Sequence, residues 1–115
     1  MQTFVKVLPL QTGKLSTLKN FINEFFVENK EKYFDMLNRY GLKGTSVHYQ
    51  KLGTEEFIIV THPVDNLEAV LAKLSMFNNS TNPFDKWFAK LMQEVYNFKY
   101  LEQTGKSEEL LNFSL

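Results

Sequence analysis

Two histidines, His48 and His62, are the only imidazoles in the chain, and no cysteine accompanies them. Imidazole is the side chain whose ordinary pKa lies closest to neutral pH, so these positions are the first places to look for proton transfer. Two histidines without an arranged carboxylate do not make a metal site, and the lack of cysteine excludes thiolate nucleophiles and Cys-ligated zinc. No metal and no cofactor is expected. Beside His48, Tyr49 offers a hydroxyl as a donor to a bound oxygen. Further on, Asn82-Pro83-Phe84-Asp85-Lys86-Trp87-Phe88 places a carboxylate and the only tryptophan within three residues. His48, Tyr49 and Asp85 are the candidate acid–base groups; His48, Tyr49 and Trp87 are the candidate ligand contacts.

Each candidate also has a structural explanation. Tyr49 fits a half-buried cross-strand aromatic. Asn82 is a good N-cap, Pro83 suits the first helical position, and Asp85 two residues later favours the positive helix end. Trp87 sits slightly off the apolar stripe of that helix and suits packing. Arg39, the only arginine, pairs with Asp35 at i,i+4 on what reads as a solvated helix surface. No P-loop, GxGxxG after a strand, GxSxG or HExxH occurs.

The elements that must position these groups follow from the periodicity. Residues 2–8 read as a strand, closed by Pro9, Thr12 and Gly13. From Lys14 to Tyr40 the apolar spacing is helical, with Gly41 as a left-handed cap and Leu42 as its apolar partner. A continuous helix there spans roughly 40 Å, against about 23 Å for a seven-residue strand. It must overhang the sheet or break, and residues 27–32 are the expected break. Residues 45–52 and 55–62 form a hairpin across Gly53-Thr54, read as a type II′ turn. That register sets His48 opposite Ile59 and Thr45 opposite His62, with the two histidines on opposite sheet faces. The second helical region divides in two, starting at Asp65 as N-cap with Glu68, and again at Asn82. Leu111, Phe113 and Leu115 alternate, which suggests a last strand over 109–114.

The order strand, helix, strand, strand, helix, strand predicts an α+β, ferredoxin-like βαββαβ domain over residues 1–115. It has a four-stranded antiparallel sheet and a second crossover split in two. Both crossovers belong on one face of the sheet. Yet Phe4 and Leu8 share one face of the first strand while Val5 and Val7 share the other, and Phe57 and Ile59 oppose Ile58 and Val60. A second apolar face calls for a second copy of the sheet, paired in a dimeric α/β barrel.

Thirteen basic and thirteen acidic residues cancel, so nothing draws the chain to nucleic acid or an anionic membrane. The third strand, EEFIIVTH, lacks the interleaved basic and aromatic residues of an RNA-binding sheet. No apolar run approaches the ~20 residues of a membrane helix and no signal peptide is indicated, so a soluble cytoplasmic protein is expected.

Ser46-Val47-His48-Tyr49-Gln50, Glu56-Phe57-Ile58-Ile59-Val60 and Asn82-Pro83-Phe84-Asp85 with Phe88 resemble a family of small bacterial proteins in the dimeric α/β-barrel superfamily. The order of elements matches over nearly the whole chain. Where that family reads His-Pro-Ile-Asp followed by another His, this chain has Asn82 and Phe88. Only Pro83 and Asp85 match, and no imidazole role transfers. The resemblance implies a homodimer with ligands held between sheet and helices; the superfamily includes cofactor-free monooxygenases, haem-degrading enzymes and isomerases. The expected function is binding of a small apolar or aromatic molecule. The alternatives are a cofactor-independent or haem-linked monooxygenase or isomerase, and a non-catalytic protein-interaction or regulatory dimer.

Overall fold

Residues 2–9 form the first strand of the computed structural model, which describes residues 1–96 and 107–115. In chain order the elements are β1 (Gln2–Pro9), α1 (Leu15–Ile22), α2 (Lys30–Arg39), β2 (Ser46–Leu52), β3 (Glu55–Val64), α3 (Leu67–Leu74) and α4 (Pro83–Val95). The described residues thus build an α+β fold with a three-stranded antiparallel sheet in the order β1-β3-β2.

The long helical pattern breaks where the mismatch in length requires it. After α1 the chain passes through a π-helical turn, Asn23–Glu28, and leaves helical geometry at Asn29 (φ −123°). The Asn29 side chain donates to the Glu24 carbonyl at 2.9 Å, occupying an acceptor left over at the break. α2 ends as expected. Gly41 lies at φ 76°, and the Leu42 N–H reaches back to the Leu37 carbonyl at 2.9 Å. Gly53 lies at φ 62° while Thr54 does not turn positive, the signature of a type II′ hairpin.

Two sequence expectations are corrected. The N-cap of α3 is Asn66, which accepts from the Ala69 N–H at 3.0 Å; Asp65 instead reaches Lys43 at 3.5 Å. Either side chain can cap, and β3 runs on to Val64 before the chain turns, so the cap falls one residue later. The second correction concerns 109–114. Residues 107–115 carry no strand, and Leu110, Leu111, Phe113 and Leu115 are all exposed. Alternation alone does not make a strand when neither a buried face nor a neighbouring ladder supports it. Ser107 Oγ donates to the Val5 carbonyl of β1 at 3.4 Å.

The register sorts the sheet into two faces. Phe4 pairs with His62, Lys6 with Val60 and Leu8 with Ile58, and across the hairpin Val47 pairs with Val60. Ile58, Val60, His62 and Val64 are buried beneath the helices. The opposite face carries Val5, Val7, Phe57 and Ile59, and Val7 is 45% exposed. Under the helices the core divides. One cluster gathers Phe25, Tyr33, Met36, Leu37 and Tyr40 with Val64 and Val70; the other gathers Leu10, Leu18, Ile58, Val60, Val95 and Tyr96.

α4 is fixed at both ends. Asn82 Oδ1 accepts from the N–H groups of Phe84 and Asp85 at 2.9 and 3.3 Å. At the other end the Gln11 N–H takes the Val95 carbonyl at 2.9 Å, and Tyr96 forms an antiparallel bridge with Leu10. No helix among the described residues is long and apolar enough to cross a membrane.

Candidate functional site

The two core clusters do not fuse. Between them lies a cavity of about 420 Å³, floored by Lys6, Leu8, Val47, Val60 and His62 of the sheet and roofed by side chains that include Leu18, Phe25, Tyr33, Phe88 and Met92. Native interiors are packed densely enough that voids seldom exceed a water molecule, whereas small-molecule sites run to roughly 300–1,000 Å³. The space is partly open to solvent, and its volume falls within the second range.

Three of its polar side chains, Tyr33, Thr45 and His62, are linked to one another. His62 is 3% exposed. Its Nδ1 lies 2.8 Å from the Gly44 carbonyl, an atom that can only accept, so Nδ1 carries the ring proton. Thr45 Oγ1 stands 3.2 Å from the same nitrogen, and the Tyr33 hydroxyl lies 2.9 Å from Thr45 Oγ1. The Gly44 carbonyl therefore fixes the tautomer, and Thr45, itself bonded to Tyr33, lies against the same nitrogen. The other ring nitrogen, Nε2, is buried without a hydrogen-bond partner among the described residues. An unsatisfied buried polar atom costs about 1–3 kcal/mol, which a bound donor would recover.

Burial is the main reason the His62 pKa falls to about 4; the Lys6 charge lowers it further, and the Gly44 hydrogen bond partly opposes both. The imidazole is therefore neutral at physiological pH. Lys6 is itself desolvated and falls to about 8. Burial raises the Tyr33 hydroxyl despite the opposing bond from Thr45, and pushes Tyr96 up to about 12. At neutral pH the titratable groups of the cavity are one cation, one neutral imidazole and two neutral phenols, and Thr45, Asn78 and Gln93 add uncharged polar groups to its wall.

The sequence-derived candidates lie elsewhere. His48 is exposed and pairs with Ile59, so it occupies the sheet face away from the helices, opposite His62 as the register required. Tyr49 is on the helix side but beyond the helices' reach, exposed, with its hydroxyl donating to Glu56 at 2.7 Å. Trp87 packs against Phe84 in a tilted pair with ring centres 5.3 Å apart and lines a separate cleft with Asn29, Lys32 and Asp35. None of these, nor Asp85, lines the cavity.

Asp85 has an anchoring position. Fully buried at 0% exposure, it accepts two bonds from Arg39 at 2.7 and 2.8 Å, one from Tyr40 at 3.0 Å and one from Ser80 at 2.7 Å. The guanidinium, more than any other cause, holds this carboxyl below the usual carboxylate range. The expectation that Arg39 serves only Asp35 on a solvated surface is corrected. It keeps that bond at 2.9 Å and spans to α4 as well, since a guanidinium can bridge two carboxylates through different N–H groups.

Sequence reasoning passed over Lys6 and Tyr33. Lys6 left a trace: it is the one charge among Phe4, Lys6 and Leu8, the residues of β1 that share the core face. Tyr33 looked like any member of the helical stripe. Comparison with known protein families, curated proteins and solved structures finds no match.

Proposed function

We propose that this protein binds a small, largely apolar or aromatic molecule in the cavity between sheet and helices. The observation that carries the reading is the 420 Å³ cavity, with a neutral histidine whose Nε2 has no partner among the described residues, set in mostly apolar walls. Such a combination of apolar volume with a few convergent polar groups is the usual form of a ligand site. A thermal-shift screen against aromatic compounds tests it, with Ala89→Trp as the control. Ala89 lines the cavity from α4, so the larger side chain fills the space and abolishes any shift. If no compound moves the melting temperature, or Ala89→Trp keeps the shift, the reading fails.

The assembly belongs to the same proposal: a cytoplasmic homodimer of ferredoxin-like units joined through the outer sheet face, as in dimeric α/β barrels. Supporting it are Val5, Val7, Phe57 and Ile59 on a sheet face that carries no helix among the described residues, and the order β1-β3-β2, which is that of the split βαβ pattern without its fourth strand. Sedimentation at micromolar concentration tests it, and a monomer would refute it.

A further inference from the structure

The cavity presents two nitrogens with opposite requirements. Phe4 faces His62 and Lys6 faces Val60 across β1 and β3, so Lys6 and His62 are diagonal neighbours on the helix side, about 7–8 Å apart at the backbone. Both line the cavity. The Lys6 ammonium can only donate. Among the described residues it has no carboxylate within ion-pair distance, and the Phe4 ring lies 5.7 Å from it. His62 Nε2 can only accept, because the ring proton is committed to Gly44 at Nδ1.

Those requirements discriminate among ligand groups. A carboxylate would pair with Lys6 but turn its lone pairs against Nε2. An ammonium would donate to Nε2 but be repelled by Lys6. A weakly acidic O–H satisfies both, with its proton toward Nε2 and its oxygen toward the ammonium. We infer that the cavity selects apolar molecules carrying a hydroxyl, a phenol or enol, and binds them with the proton kept on oxygen and donated to Nε2.

Resting on the small-molecule reading above, the inference adds the identity of the polar group. Binding breaks no covalent bond: the ligand O–H donates to Nε2, which is too weak a base beside the Lys6 ammonium to take the proton, and a lone pair of the same oxygen accepts from that ammonium. The other titratable groups lining the cavity are Tyr33 on α2 and Tyr96 after α4, which burial keeps neutral. They supply no competing anion.

The test uses 4-nitrophenol, whose phenolate absorbs visible light, and 4-nitroanisole, which has the same body without the acidic proton. With the full-length chain at mildly acidic pH, where the phenol is neutral in water, 4-nitrophenol binds at least tenfold more tightly than 4-nitroanisole. Lys6→Met and His62→Gln each reduce that preference while 4-nitroanisole still binds. If both compounds bind with equal affinity, the inference is overturned and the small-molecule reading survives. If neither binds, both fall. The wild-type comparison decides the matter even where a variant fails to fold.

Discussion

Acidification between pH 7 and 4.5 should unload a specific part of this protein's stability, and the part belongs to His62. In the unfolded chain its imidazole takes up a proton as the pH falls through about 6.5, whereas the folded site resists protonation until about 4. Within that interval the unfolded chain binds more protons, so acid favours it. Each pH unit between the two values is worth about 1.4 kcal/mol. Integrated from pH 7 to 4.5, the loss is about 2 kcal/mol, a sizeable share of the roughly 5–15 kcal/mol typical of a domain. Urea unfolding at several pH values and one fixed protein concentration measures it. His62→Gln, which cannot be protonated, should show a shallower decline by that amount. The slope is the readout, so a variant with lower absolute stability still answers. Parallel curves for the two proteins would show that the imidazole is not held neutral by its surroundings.

Four further outcomes are expected. Arg39→Ala leaves the buried Asp85 carboxylate with only Tyr40 and Ser80 as donors and should cost roughly 3–5 kcal/mol in chemical denaturation, a large effect for a residue one-third exposed. Lys6→Met should raise stability at pH 7 by about 1 kcal/mol, with the partial exposure of Lys6 discounted, because it removes the desolvation of an ammonium. In the wild type the unfolded chain holds the extra proton between about pH 8 and 10.5, so stability should rise with pH in that window and stay flat there in the variant. Val7→Glu, on the outer sheet face, should convert the proposed dimer into a folded monomer by sedimentation with an unchanged circular dichroism spectrum.

What could be read from the chain alone was whatever depends on neighbours in sequence. The break near Asn29, the caps at Gly41 and Asn82 and the hairpin at Gly53 each rest on a few adjacent residues whose backbone preferences are strong and local. Through the two-residue period of a strand, that hairpin also set His48 and His62 on opposite faces. Which of those faces lay beneath the helices was not local information. It depends on how α1, α2 and α4 settle on the sheet, and that choice turned His48 outward and buried His62 beside Lys6. The same docking joined Arg39 to Asp85, forty-six positions apart, and left a cavity between two apolar clusters that share Ile22 and Met92 as neighbours. Packing geometry is a property of surfaces brought together from distant parts of the chain, and no spacing along the sequence encodes the volume left between them.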